Sequence, residues 1–352
     1  MQAVILVGGE GTRLRPLTAT RPKPMMPLVD RPFVAHQLDH LRRHGITDVV
    51  FSCGYRPDAL EAHFGDGASI GVRLSYVVDP MPLGTAGAVA NAIGLLGDED
   101  VLVFNGDILT DLDLDAFIAA HREVRARASI ALTPVDDPSA YGLVRLNPDR
   151  SVLEFLEKPS REELMPGEPF LINAGTYLLN RAVVASIPTG RAVSIEREIF
   201  PDVAAGGGLF GYPSRCYWRD IGTPASYLEA HADVLAGRVR TDSPTGAVHL
   251  GEGTEVAGGA SVTGGTVLGA GSRVADGAVV DGAVAGDGAD IGAGARLSGC
   301  VLGAGVTVGD GAVLEGLVVV GDGARIGPGV HVTGPASIDT GEHVAETAEV
   351  AS

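Results

Sequence analysis

Hydrophobic positions follow two different rules along this chain. From residue 1 to about 236, short apolar runs alternate with longer stretches of helical periodicity. Ala3-Val4-Ile5-Leu6-Val7, Asp48-Val49-Val50-Phe51-Ser52, Leu74-Ser75-Tyr76-Val77-Val78 and Val101-Leu102-Val103-Phe104 read as strands, the first of them fully buried. Pro32 to Gly45, Asp58 to Phe64, Ala86 to Leu96 and Asp115 to Arg127 read as the helices between them. Strand, helix, strand in succession predicts an α/β fold with a Rossmann-like, mainly parallel sheet and helices on both faces. The ligand of such a sheet sits beyond the carboxyl ends of its strands. Two polar turns fall at that edge: Gly8-Gly9-Glu10-Gly11-Thr12-Arg13 after the first strand, and Asn105-Gly106-Asp107 after Val101–Phe104.

From about residue 246 the apolar period becomes six: Leu250, Val256, Val262, Leu268, Val274, Val280, then Leu302, Val308, Leu314, Val320, Ile326, Val332 and Ile338. Glycine, alanine and aspartate fill the positions between. This period predicts a left-handed parallel β-helix of hexapeptide repeats, three to each triangular coil. About five coils at ~4.8 Å each give a prism about 24 Å long. An irregular patch at 281–301, with Ile291 and Leu297, predicts a widened corner or a bulge. The expected organisation is a first domain over 1–236, a linker over 237–245 that is polar and closes on Pro244, and the β-helix domain over 246–352.

Composition then narrows the partners. A chain of 352 residues, 45% hydrophobic, can build two domains with proper cores. A net charge of −18 argues against nucleic acid and anionic membrane surfaces, which demand basic patches. Any phosphate site must therefore be a local positive pocket. The N-terminus enters a strand without a signal-peptide pattern, and no apolar stretch reaches spanning length, so a cytoplasmic protein is expected. Cys53, Cys216 and Cys300 lie far apart without metal-ligand spacing and are expected to be reduced thiols.

The glycine-rich turn after the first strand lets backbone N–H groups close on a phosphate, and Arg13 and Arg15 add fixed positive charge. It is neither a dinucleotide fingerprint, since Leu14 stands where the third glycine belongs, nor a Walker loop, since no Gly-Lys pair exists. Downstream, the prolines of Arg21-Pro22-Lys23-Pro24 fix the chain around one lysine, as suits an ammonium aimed at a phosphate. Together, Gly9-Glu10-Gly11-Thr12-Arg13-Leu14-Arg15-Pro16-Leu17-Thr18 and Pro22-Lys23-Pro24 resemble the signature of the sugar-nucleotide pyrophosphorylases, or sugar-1-phosphate nucleotidylyltransferases.

Further stretches match that family in order, over roughly residues 3 to 231. The resemblance implies that Leu6, Gly8, Gly9, Gly11 and Thr12 line the nucleotide, with Arg13 and Lys23 on its phosphates. Leu83-Gly84-Thr85-Ala86-Gly87 resembles the loop over the base, so Gly84 and Thr85 join that set, with helical N–H groups near Ala86 aimed at the nucleotide. Asn105-Gly106-Asp107 and Trp218-Arg219-Asp220-Ile221-Gly222-Thr223-Pro224 resemble the two metal-ligand motifs, so Asp107 and Asp220 are expected to hold Mg²⁺ through hard oxygens. On the sugar side, Gly142 leaves room for the ring. Glu157 would accept its hydroxyls, Lys158 would bind its phosphate, and Asn173 would offer both donor and acceptor.

The implied reaction is in-line attack of a sugar 1-phosphate on the α-phosphorus of a nucleoside triphosphate. Arg13, Lys23, Asp107 and Asp220 carry it through electrostatics. Asp79 lies where thymidylyl- and uridylyl-transferring relatives look to have glutamine; a carboxylate accepts from guanine N1–H and N2–H₂, which favours GTP. Ser194-Ile195-Glu196-Arg197-Glu198-Ile199-Phe200-Pro201 resembles the mannose-1-phosphate guanylyltransferase branch and favours mannose 1-phosphate. Three other readings stay open: transfer of another nucleotide or to another hexose or cyclitol phosphate, a second acyltransferase activity drawing on His249, His331 or His343, and a regulatory sugar-nucleotide-binding subunit. The flat faces of the β-helix lead us to expect a homo-oligomer.

Overall fold

The computed structural model describes residues 1–54, 57–164 and 170–345. The end of the expected β-helix domain, residues 346–352, lies outside the described residues. Contacts group the chain into two compact units: Met1–Gly9 with Gln37–Trp218, and Glu10–His36 with Arg219–Ser352.

Among the described residues, the first unit is built on a nine-stranded sheet. Its strands are β1 (Gln2–Leu6), β2 (Asp48–Cys53), β3 (Arg73–Val78), β4 (Val101–Asn105), β5 (Ala128–Val135), β6 (Gly142–Leu146), β7 (Val152–Glu157), β8 (Phe170–Leu179) and β9 (Leu209–Pro213). The order is β7-β6-β8-β4-β1-β2-β3, with β5 paired to β8 and β9 to β5. β3, β2, β1 and β4 run parallel, because a helix returns the chain after each. β8 enters antiparallel to β4, and β5 and β6 pair with it antiparallel. β6 and β7 are joined by a turn too short for a crossover and form a hairpin, in which Gly142 faces Glu157.

The expected helices form at Phe33–Arg43, Asp58–Phe64, Gly84–Asn91 and Leu114–Glu123. Asp113 caps the last by accepting the N–H of Ala116 at 3.0 Å. Val4, Val103, Ile130 and Tyr177 on the sheet pack with Val89, Val184, Ile195 and Phe200, forming the core that holds the strand ends in place.

The second unit contains the left-handed β-helix, which among the described residues has three sheets of six, six and five short parallel strands. Side chains at the six-residue period point inward: Leu268, Val274, Val280, Ile291, Leu297, Leu302 and Val308 are all buried. Leu250 and Val256 stay 44% and 38% exposed, because they belong to the first coil and only one side of it is covered by another.

The irregular patch is neither a widened corner nor a bulge. Leu268 pairs with Ala285 and Ala285 with Leu302, so these two coils have 17 residues, whereas Val301 pairs with Val319 in a coil of 18. The missing residue is at one corner. Gly282 and Gly299 each turn it alone, at φ 58° and 62°, where Gly264-Gly265 or Gly316-Leu317 stand in the longer coils. A left-handed glycine makes the single-residue corner possible. The parallel pairing continues through the patch without interruption.

Candidate active site

In the first unit, the end of β1 is clamped between its neighbours. Val7 donates its N–H to Ser52 O at 2.9 Å, and Gly106 donates to Leu6 O at 2.9 Å. A Cβ on Gly106 would lie 2.4 Å from Leu6 O, and one on Gly54 would lie 2.7 Å from Gly8 O, so these turns touch backbone to backbone. Gly9 is different: among the described residues nothing lies within 4 Å of where its Cβ would be, and it is exposed. Leu6, Gly8, Gly9 and half-buried Asp107 are thus gathered at one edge of the parallel strands, where such sheets bind ligands. Gln37, buried on the helix Phe33–Arg43, donates through Nε2 to Asn105 O and Ile108 O, both at 2.9 Å. It fixes the turn that carries Asp107, a role the sequence pattern does not reveal.

Asp79 follows β3. Its N–H donates to Cys53 O at 2.8 Å, and its Oδ1 accepts from Asn91 Nδ2 at 2.9 Å. Partial burial raises its carboxyl above the usual carboxylate value, against the opposing effect of the Asn91 bond.

The loop at Gly84 is bound into the protein more tightly than expected. Gly84 has φ 68°, and a Cβ there would lie 2.7 Å from Val193 O. The helix begins at Gly84, and the N–H groups of Ala86 and Gly87 both donate to Val193 O, at 3.0 and 3.2 Å. Those two groups are therefore committed internally rather than aimed at a ligand, which corrects the expectation. The Thr85 hydroxyl is likewise engaged. It donates to Glu196 Oε2 and accepts from the N–H of Ile195, both at 2.8 Å.

Glu196 is the hub that the sequence reading missed. It sits on a single π-helical turn, Ile195–Ile199, a rare conformation found frequently at functional sites. Its Oε2 also accepts from Ser194 Oγ at 2.8 Å, and its Oε1 accepts from Tyr177 Oη at 3.3 Å. Tyr177 Oη in turn accepts from Asn173 Nδ2 at 2.8 Å. Burial and the Glu196 charge push the Tyr177 phenol well above its usual range, so it stays a neutral donor. Thr85, expected on the nucleotide, and Asn173, expected on the sugar, are therefore joined by one hydrogen-bonded chain. The motif Ser194–Pro201 was a visible signal, but nothing in its spacing names Glu196 as the link.

Asn173 starts a bulge in β8, where Gly175 takes φ 69°. Its Oδ1 accepts from the N–H of Gly175 at 2.9 Å, and Trp218 Nε1 donates to Ala174 O at 2.9 Å. The Trp218 ring meets Tyr141 edge-on at 5.4 Å. Next to Tyr141, a Cβ on Gly142 would lie 2.7 Å from the Phe155 ring and 3.1 Å from Glu157 Oε2. Gly142 and Glu157 are thus brought face to face. Lys158 leaves the strand at φ 53°, its N–H held by Tyr141 O at 2.9 Å, and both Glu157 and Lys158 are exposed.

In the second unit, Gly11 at φ 63° starts a short 3₁₀ turn, Thr12–Leu14. Leu14, Pro16 and Leu17 are buried, while Thr12, Arg13 and Arg15 are exposed. Thr18 Oγ1 donates to Gly11 O at 2.8 Å, and a Cβ on Gly11 would lie 3.1 Å from both Lys23 Cβ and Thr18 Cγ2. The loop is therefore folded back on the lysine. Asp220 precedes a helix, Pro224–Leu235, that opens with Thr223 as cap and Pro224 in its first turn. A Cβ on Gly222 would lie 2.7 Å from Arg13 Nη2 and 2.7 Å from Asp220 Oδ1. Gly11, Thr12, Arg13, Lys23 and Asp220 thus share this unit, with Arg13 and Asp220 converging over Gly222.

An α/β sheet with a glycine turn after its first strand, and with carboxylates following its strand ends, defines a class, and the comparisons agree. The chain belongs to the nucleotidyl transferase family, whose model matches residues 2–237, and it is a nucleotidyltransferase enzyme. It is 42% identical over 298 residues to a mannose-1-phosphate guanylyltransferase of Mycobacterium tuberculosis, covering 83% of this chain and 81% of the relative. A mannose-1-phosphate guanyltransferase of Aspergillus fumigatus is 37% identical over 248 residues, 69% of this chain and 66% of that protein. Among solved structures, a putative glucose-1-phosphate thymidylyltransferase from Bacillus anthracis matches with TM-score 0.60 and 26% identity, over 69% of this chain and 98% of that one. HddC from Yersinia pseudotuberculosis, solved with GMP-PN, matches with TM-score 0.55 and 27% identity, over 65% and 97%. Enzymes of this family generally use a divalent metal. Among the described residues no helix is long and apolar enough to cross a membrane.

Proposed function

We propose that this protein makes GDP-mannose, transferring a guanylyl group from GTP to mannose 1-phosphate and releasing pyrophosphate. The observation that carries the choice of base is Asp79, half-buried with one carboxylate oxygen on Asn91. A partly desolvated carboxylate gains most from charge-assisted bonds and accepts from both N1–H and N2–H₂ of guanine. It offers no donor to a pyrimidine imide. The guanylyltransferases of Mycobacterium tuberculosis and Aspergillus fumigatus, and the solved complex of HddC with GMP-PN, support the same choice. The sugar rests on those relatives and on the Ser194–Pro201 stretch.

In this reading, an oxygen of the sugar phosphate forms a bond to the α-phosphorus as the bond from that phosphorus to the bridging oxygen of the β-phosphate breaks. Pyrophosphate carries the electron pair away. The attacking group is already an anion, so no general base is required. Arg13 and Lys23 neutralise the phosphates, and backbone N–H groups of the Gly8–Gly11 turn cradle them. Glu157 accepts sugar hydroxyls and Lys158 binds the sugar phosphate, beside Gly142, whose open side is filled by the Phe155 ring and not by the sugar. Asn173 retains one donor and one acceptor beyond its internal bonds for a hydroxyl. Asp107 and Asp220 are each half-buried carboxylates whose hard oxygens suit Mg²⁺; in this reading they would hold the ion, which would supply charge stabilisation for the phosphates. We further propose a homo-oligomer assembled through the β-helix; a monomeric mass by light scattering would exclude it.

A matrix of nucleoside triphosphates against sugar 1-phosphates, scored by pyrophosphate release, tests the reading. GTP with mannose 1-phosphate should give the highest kcat/KM, and a clear preference for dTTP or UTP would overturn it. Asp79→Gln should reduce the preference for GTP by about 10- to 100-fold while the protein stays folded.

A further inference from the structure

We propose that Asp322, on the β-helix, is a positioning residue for the segment that carries Arg13 and Lys23. Four aspartates of the β-helix share one structural duty, accepting a backbone N–H from the preceding coil. Asp276 accepts from Gly259 at 3.1 Å, Asp287 from Ala270 at 2.9 Å, Asp310 from Ala293 at 2.8 Å and Asp322 from Ala304 at 2.8 Å. Asp322 uses only Oδ1 for this. Its Oδ2 accepts from Thr20 Oγ1 at 2.5 Å and from Arg21 Nη2 at 3.3 Å. Its side chain is 19% exposed and that of Arg21 32%, so the ion pair is shielded better than an ordinary surface pair.

Thr20 and Arg21 lie between the two parts of the proposed phosphate clamp. Upstream, Thr18 Oγ1 holds Gly11 O, and the turn Gly11–Leu14 carries Arg13. Downstream, Pro22 and Pro24 flank Lys23, whose carbonyl accepts the N–H of Met26 at 3.0 Å. A segment so constrained passes a displacement at residue 20 or 21 on to Lys23 instead of absorbing it. A shallow cleft opens beside the tie, lined by Leu17, Arg21, Tyr227, His231, Val284 and Asp322. The β-helix thus helps to set the geometry of nucleotide binding.

This inference rests on the reading that Arg13 and Lys23 serve the triphosphate, and the experiment separates the two. Wild-type enzyme is first assayed against the full substrate matrix; inactivity with every pair would overturn the reading itself. With the preferred pair, Asp322→Asn keeps an acceptor for Ala304 but turns an amide toward Thr20 and Arg21. It should raise KM for the nucleoside triphosphate about tenfold, with KM for the sugar phosphate changed less than about twofold. Asp310→Ala removes the same kind of coil bond without touching the segment and should leave both constants within about twofold of wild type. Thr20→Val cuts the tie from the other side, so the inference remains testable if the Asp322 variant folds poorly. It should move the same KM in the same direction, and the double variant should be no worse than Asp322→Asn alone. Wild-type constants in Asp322→Asn or in Thr20→Val, or a loss in Asp310→Ala equal to that in Asp322→Asn, would overturn the inference.

Discussion

Removing Glu196 should loosen two loops at once, and the size of the effect can be worked from its bonds. The hydroxyls of Thr85 and Ser194 donate to one carboxylate oxygen at 2.8 Å, and Tyr177 donates to the other. Hydrogen bonds to a charged acceptor contribute about 1.5–3 kcal/mol each. Tyr177 is fully buried, so its hydroxyl would lose its acceptor at a cost of about 1–3 kcal/mol. These terms share one group and do not add in full. Glu196→Ala should therefore destabilise the first unit by about 3–5 kcal/mol, and Glu196→Gln, which keeps one acceptor, by about 1–2 kcal/mol. Urea unfolding followed by far-UV circular dichroism, with linear extrapolation, measures both losses. Because the same carboxylate joins Thr85 to Asn173 through Tyr177, KM should rise for nucleotide and sugar phosphate together. A Glu196→Ala protein within about 0.5 kcal/mol of wild type would show that the network does not hold these loops.

Other outcomes follow from single contacts. Gly222→Ala puts a methyl 2.7 Å from Arg13 Nη2 and Asp220 Oδ1; kcat should fall about 10- to 100-fold with little change in melting temperature, as steady-state kinetics and calorimetry would show. His231 accepts the N–H of Val29 through Nδ1 at 3.2 Å, and burial, helped by His36, pushes it down to about 3. Above pH 6.5 it is neutral whether folded or unfolded, so its contribution is fully present there. Between about 6.5 and 3 only the unfolded chain takes up the proton, costing about 1.4 kcal/mol of stability per pH unit. NMR titration should find the His231 ring neutral at pH 5, and a midpoint near 6.5 would contradict its burial. Burial likewise pushes the Cys53 and Cys300 thiols up to about 12, while Cys216 is partly exposed. A thiol reagent should label Cys216 alone in the native protein, and the other two only on unfolding.

What the sequence made legible was whatever repeats or whatever is local. The β-helix could be read because each inward Val, Ile or Leu meets the same environment in coil after coil. The shortened corners were misread because an absent residue and an added one both break a six-residue count. Only the pairing of Leu268 with Ala285 distinguishes them. The parallel strands and their glycine turn were legible from apolar runs and punctuation. The engagement of the Ala86 and Gly87 N–H groups was not, because their acceptor, Val193, is distant in sequence. Glu196 and Gln37 escaped for the same reason: each is an ordinary polar residue until the fold brings its partners to it. Gly222 stood in plain view within a recognised motif, but the need for glycine there comes from Arg13.

The coil lengths of the β-helix bear on how such a chain can change size. Because Ala285 and Leu302 stack one above the other, excising residues 285–301 would leave every remaining pair in register. The prism could lose a storey without misfolding. The gauge would nevertheless be wrong. Every later residue would descend by one rung of about 4.8 Å, and Thr340, which stacks on the Asp322 coil, would arrive opposite Thr20 and Arg21 in place of the carboxylate. The number of storeys is thus a measured height, and it fixes which rung reaches the loop.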